Sequence, residues 1–147
     1  MYTYHAKMDE SKHCSGAYDG DTIDVIIDVG FKMTTRQRLR LLKVDTPEVI
    51  GETKSQGIFY RELTRGWLQA ASADRFKKHG WEFPLTVITK KSDSFGRYLA
   101  VVKHRMDPAE TYLRESLNQY LLDCGAPPYP NSQTQLYAVL LAGFRQD

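Results

Sequence analysis

Thr22-Ile23-Asp24-Val25-Ile26-Ile27-Asp28-Val29, followed by Gly30 and by the run from Met33 to Val44, decides the fold. The first segment is dense in β-branched and apolar residues and reads as a strand. Gly30 supplies the turn, and the second segment returns as another strand. The two-residue period of that strand sets Arg36, Arg38 and Arg40 on one face. Beyond Arg40 the alternation gives way to Leu41, Leu42 and Val44, the pattern of a strand buried on both sides, and Pro47 ends it.

Outward from this pair, residues 2–8 alternate weakly and form a first strand, and the polar residues 9–17 form a turn. Glycines 51 and 57 punctuate a loop. From about Ser55 to His79 the pattern is helical, with Phe59, Leu63, Trp67 and Ala70 on one face. Phe83 to Thr89 and Tyr98 to Val102 read as two further strands, joined through Asp93-Ser94-Phe95-Gly96 as a hairpin turn. Residues 103–111 read as a loop. Leu113 to Leu122 predicts a second helix, stopped by Gly125 and by Pro127-Pro128-Tyr129-Pro130. Asn131 or Ser132 opens a third, with Ser132 and Gln135 as a capping box and Leu136, Val139, Leu140, Gly143 and Phe144 along one side. Five strands with one helix between the third and fourth is the element order of an OB-type barrel. The expectation is an α+β chain: a five-stranded OB-fold β-barrel with three α-helices, in a single domain spanning 1–147.

The bulk properties agree. With 147 residues the chain can build one real core, and 41% hydrophobic against 26% charged residues gives no indication of disorder. A formal net charge of +2 is too mild to imply a nucleic-acid partner by itself. Cys14 and Cys124 are too few for a disulfide framework, and Lys12-His13-Cys14 lacks the second Cys/His pair that a zinc site needs. No apolar run reaches the roughly 18 residues that span a bilayer. Met1 to Lys7 carries no hydrophobic leader, so the expected location is cytoplasmic, or secreted if a leader has been removed.

Three short segments carry chemistry. Tyr18-Asp19-Gly20-Asp21-Thr22, Arg40-Leu41-Leu42-Lys43-Val44-Asp45-Thr46-Pro47-Glu48 and Asp93-Ser94-Phe95-Gly96-Arg97-Tyr98-Leu99-Ala100 combine carboxylates with two arginines. Carboxylates can hold a hard cation, a further acid can take a proton from water, and guanidinium forks can grip a phosphate. Those are the parts a phosphodiesterase requires.

In order and spacing, these segments resemble the three motifs of the staphylococcal nuclease (thermonuclease-like) family, and Leu117 to Gly125 resembles its later helix. The resemblance covers roughly residues 17 to 131. It implies that Asp21 and Asp45 ligate calcium and that Thr46 lends a backbone carbonyl. It also implies that Arg40 and Arg97 bind phosphate and that Glu48 is the general base. The implied activity is calcium-dependent hydrolysis of DNA and RNA that leaves 3′-phosphate ends. Ser94 and Phe95 stand where the family has Lys-Tyr, and Tyr129 alone remains of two pocket tyrosines. Ser94, Phe95, Tyr129 and Arg38 are the expected substrate contacts. The competing expectation is a catalytically weak OB-fold module that binds nucleic acid or protein. His5, His13, His79 and His104 sit in no constellation. A monomer is expected, with the apolar side of the last helix as the alternative dimer surface.

Overall fold

The computed structural model describes residues 2–11, 16–91, 98–111 and 114–129. Strand β1 is Tyr2–Met8, β2 Ala17–Asp19, β3 Thr22–Gly30, β4 Met33–Leu41, β5 Leu85–Lys91 and β6 Tyr98–His104. Helix α1 is Lys54–His79, entered through a 3-10 turn at Gly51–Thr53, and α2 is Leu117–Asp123. The strands pair in the order β1-β5-β6-β4-β3, and β3 returns to β1 through registers such as Ala6↔Ile27 and Met8↔Val25. That return closes a five-stranded barrel. Every neighbouring pair is antiparallel except β4 and β6, which run parallel through Leu39↔Tyr98 and Leu41↔Ala100. The short β2 adds a sixth strand against the start of β3. With only three residues it offers no alternation to read, and it falls partly in the region expected to be a turn.

The β3–β4 hairpin matches the reading. Ile23, Val25 and Ile27 point inward on β3 and Leu39 and Leu41 on β4, as the period of two requires. Gly30 enters the turn at φ 89, and Phe31 and Lys32 continue in the left-handed region at φ 54 and 61. Ala6, Leu85, Val87, Ala100 and Val102 complete the barrel interior, and Leu68, Ala71, Leu117 and Leu121 cover it from the two helices.

Two expected elements need correction. Strand β4 stops at Leu41 rather than Val44, because the chain folds back around the Arg40 side chain, with Lys43 at φ 71. Helix α2 starts at Leu117 rather than Leu113, because the Ser116 side chain accepts the Gln119 amide and caps it there. Two α-helices lie among the described residues, and the third expected helix falls outside them. So do Cys14 and His13.

The buried face of α1 is also not the expected one. It consists of Gly57, Thr64, Leu68, Ala71 and Arg75, whereas Phe59 is 55% exposed and Ala70 is exposed. Leu63 and Trp67 pack at its flank. An apolar count passes over Thr64 and Arg75, yet both are fully buried because each has a polar duty. Gly80 ends the helix in the left-handed conformation, its amide on the Phe76 carbonyl at 2.7 Å.

Arg75 is the largest fully buried side chain among the described residues. Its Nε and Nη2 donate to Asp74 at 2.8 and 2.7 Å, and its Nη1 donates to Glu110 and to the Arg105 carbonyl. Arg114 also reaches Asp74, at 2.9 Å. The Asp107 amide and the Arg75 fork hold the Glu110 carboxyl down at about 2. His79 lies 3.4 Å from Glu110 and stacks on Trp81, so it does belong to a cluster, a structural one. The segment after β6, read as a loop from sequence, is thus bolted to α1 by charge.

Asn118 does the same for α2. Its Nδ2 donates to the Leu42 and Ala100 carbonyls at 2.8 and 3.0 Å, and its Oδ1 accepts the Val102 amide at 3.1 Å. The helix is thereby tied to the seam where β4 meets β6.

His104, at the end of β6, lies edge-on to Trp67 with 4.7 Å between ring centroids. Burial lowers its pKa to about 4, and the charges of Arg114 and Arg75 push the same way. The unfolded imidazole titrates near 6.5. Between those values the unfolded chain holds more protons, so the contribution of His104 to stability is complete above 6.5 and lost as the pH falls toward 4. The melting temperature of the parent should therefore fall more steeply from pH 7 to pH 5 than that of His104→Gln. Parallel melting curves across that range would remove His104 as the cause.

Candidate functional site

The site begins at Arg40, the next-to-last residue of β4, which is only 7% exposed. Its Nη1 donates to the Leu41 and Val44 carbonyls at 3.0 and 2.6 Å, which holds the chain in the bend that ends the strand. Its Nη2 faces two carboxylates at once, Asp21 Oδ2 at 3.3 Å and Asp45 Oδ1 at 3.4 Å. The Tyr129 ring lies 5.1 Å from the guanidinium carbon. The bend is pinned from the far end of the described chain. The Asp45 amide donates to the Pro127 carbonyl at 2.9 Å, and the Tyr129 amide to the Lys43 carbonyl at 2.8 Å.

Asp21 comes from the turn between β2 and β3. It is nearly buried, its Oδ2 accepts the Thr46 amide at 3.0 Å, and its Oδ1 accepts the Thr22 hydroxyl at 3.1 Å. Asp45 is the exposed member, with 57% of its side chain open. The turn has to be tight. A Cβ at Gly20 would lie 2.7 Å from both the Thr46 hydroxyl and the Tyr60 Cβ, so only glycine fits. Buried Thr64 on α1 donates to the Gly20 carbonyl at 2.7 Å, which fixes the turn to the helix. Asp19 accepts the Asp21 amide at 3.1 Å. Burial raises its pKa to about 7, and the neighbouring Asp21 carboxyl adds to the rise.

Glu48 faces solvent. Its backbone, by contrast, is gripped. Thr53, the residue before α1, spends its hydroxyl on the Glu48 carbonyl at 2.9 Å instead of capping the helix. A Cβ on Gly57 would lie 2.2 Å from that same carbonyl oxygen. Helix propensity alone would reward Gly57→Ala by up to about 1 kcal/mol. Here the sign should reverse, with a loss of roughly 1–3 kcal/mol from overpacking against backbone and a fall in activity as the 45–48 loop shifts. Thermal melting and a turnover assay on the same preparation check both. A stabilised and fully active variant would show that the contact is slack.

Comparison with protein-family models and with curated proteins finds no match. The functional reading therefore rests on the residues themselves.

The donor set suits a hard cation. Asp21 and Asp45 offer carboxylate oxygens near enough together for one guanidinium nitrogen to touch both, and Asp19 adds a third carboxyl beside Asp21. The Thr46 hydroxyl is buried without a hydrogen-bond partner among the described residues. No group of three or more His, Cys, Asp or Glu side chains forms a metal cage among the described residues. A calcium ion takes six to eight oxygens, so water and substrate would have to fill the rest of its shell.

Of the expected site residues, Asp21, Arg40, Asp45, Thr46 and Tyr129 are brought together. Glu48 lies on the same loop. Arg38 lies two positions before Arg40 and is held by Asp24 through Nε at 2.9 Å and Nη2 at 3.2 Å, stacked 4.0 Å over the Tyr18 ring. Arg36 pairs with Asp9 at 2.7 Å. Arg97, Ser94 and Phe95 lie outside the described residues. Asp19, Thr53, Gly57, Tyr60 and Thr64 were not singled out from sequence as parts of the site. The symmetry of Asp19-Gly20-Asp21 was the one available signal, since the others act through backbone and packing.

Proposed function

We propose that this protein is a calcium-dependent phosphodiesterase of the staphylococcal nuclease type, built on an OB-fold barrel and acting on single-stranded DNA and on RNA. The observation that carries the reading is the convergence on Arg40: one buried guanidinium against Asp21 and Asp45, with the Thr46 amide on Asp21. Asp21, Asp45 and the Thr46 carbonyl would hold the cation. Calcium, when bound, would offset the charge of the phosphate oxygens and bring water beside the phosphorus.

The protein's own groups supply the rest. Glu48 takes a proton from the attacking water as the new P–O bond forms. The bond from phosphorus to the leaving 5′-oxygen breaks, and solvent returns a proton to that oxygen, leaving the 3′-phosphate end that the resemblance implies. Arg40, its Nη1 anchored on two carbonyls, presents a fixed positive charge to the oxygens that gain negative charge in the transition state. Arg97 is proposed as the second such charge. Tyr129, beside Arg40, would contact the substrate.

A second reading, a barrel that binds nucleic acid without cutting it, draws on one feature. Both terminal nitrogens of Arg40 already face carbonyls or carboxylates. Incubation of the purified protein with single-stranded DNA in calcium, in magnesium and in chelator decides. Cleavage in calcium alone is the expected result. Calcium-independent binding without cleavage in any condition would replace the nuclease by the binding barrel.

A further inference from the structure

A groove of about 400 Å³ opens beside the site, between Pro47 and Pro127 on one side and the first turns of α1 on the other. The helix contributes Phe59, Tyr60, Ser55 and Gln56 to its lining. Among the described residues, no charged side chain lines it. That contrasts with the neighbouring site, where carboxylates and Arg40 crowd together. A ligand spanning both would need one anionic part and one neutral, apolar part. A nucleotide is such a ligand.

We propose that this groove receives a nucleobase of the substrate, the one next to the phosphate held at Arg40, and that Phe59 is its stacking platform. Three observations support this. Phe59 is 55% exposed on a helix that buries its other face, which leaves a large ring without a partner in the core. The ring meets Tyr60 in a T-shaped contact, with centroids 5.2 Å apart and planes at 75°, which braces it at the groove. The groove is continuous with the site. Pro47 lies between Thr46 and Glu48, Pro127 accepts the Asp45 amide, and Tyr60 presses on Gly20 between Asp19 and Asp21. Gln56, exposed and with a donor and an acceptor on one amide, can read the edge of a stacked base. Stacking on an aromatic ring tolerates every base, so Phe59 would add affinity and Gln56 preference.

The proposal rests on the nuclease reading, and its test separates the two. Binding of a short single-stranded oligonucleotide is measured in chelator, and cleavage of the same oligonucleotide in calcium. Each is repeated with a copy carrying one abasic position next to the cut. Phe59→Ala, at an exposed position, should raise Kd and KM for the intact strand about tenfold and leave kcat unchanged. It should leave binding of the abasic copy unaltered, and Phe59→Trp should restore the intact strand. Gln56→Ala should change the ratio between purine and pyrimidine at that position. If the parent cuts but binds both strands equally, or if Phe59→Ala matches the parent on both, the groove does not take a base and the nuclease stands. If the parent neither binds nor cuts, both readings fall together.

Discussion

Glu48→Ala should reduce calcium-dependent cleavage by at least about a hundredfold while its thermal melt stays on that of the parent, since a positioned general base contributes roughly 10²–10⁴. Fold and rate separate at this residue. Its side chain faces solvent and makes no ion pair among the described residues, so little packing is lost. Its backbone is held by Thr53 and by the approach of Gly57, and neither contact involves the carboxylate. Gln at the same position should behave like Ala, because an amide keeps the shape but cannot take the proton. The kinetic pattern is also specific. A fall in kcat with KM unchanged is expected for a group that acts on water rather than on the strand. Rates within a factor of two of the parent would remove Glu48 from the chemistry and return attention to Asp19 as the proton acceptor.

Arg75→Ala should be the most damaging single change to stability among the described residues, at about 3–5 kcal/mol. Truncation takes the fork from Asp74 and Glu110 and empties the space of a fully buried side chain. At roughly 2–4 °C per kcal/mol for a chain of this size, the melting temperature should drop by about 6–20 °C. Arg75→Met, which keeps the volume and loses the charge, should fare little better, since both half-buried acids lose the fork that joins them. A triple change that also replaces Asp74 and Glu110 by apolar residues should recover part of the loss, because the acids no longer lack the fork, although Arg114 and His79 then lose these partners. A drop of a degree or two for Arg75→Ala would mean that water enters and solvates the acids.

Sequence period carried the barrel well. The β-branched, apolar composition of Thr22–Val29 and the alternation in the first half of the following strand found β3 and β4, and the helical run found α1 to within one residue at its start. It failed where polar side chains do structural work in the interior. Thr64 and Arg75 occupy the inner face of α1, so an apolar count placed the stripe on Phe59 and Ala70. Ser116 stopped α2 from extending back to Leu113. At the site, Asp21, Arg40 and Asp45 were legible because their chemistry is local to short motifs. The supports were not. Gly57 against the Glu48 carbonyl and Thr64 on the Gly20 carbonyl are contacts between segments, and no spacing within either segment announces them.

The pinning of residues 43–45 by residues 127–129 bears on biosynthesis. The bridge from Val44 to Pro128 and the amide bonds on either side join parts of the chain that leave the ribosome far apart in time. Until the later segment emerges, the loop bearing Asp45 and Glu48 lacks the partner that sets its shape. On the proposed function, the growing chain is inert until residues 127–129 have emerged, and it gains its cutting edge only then.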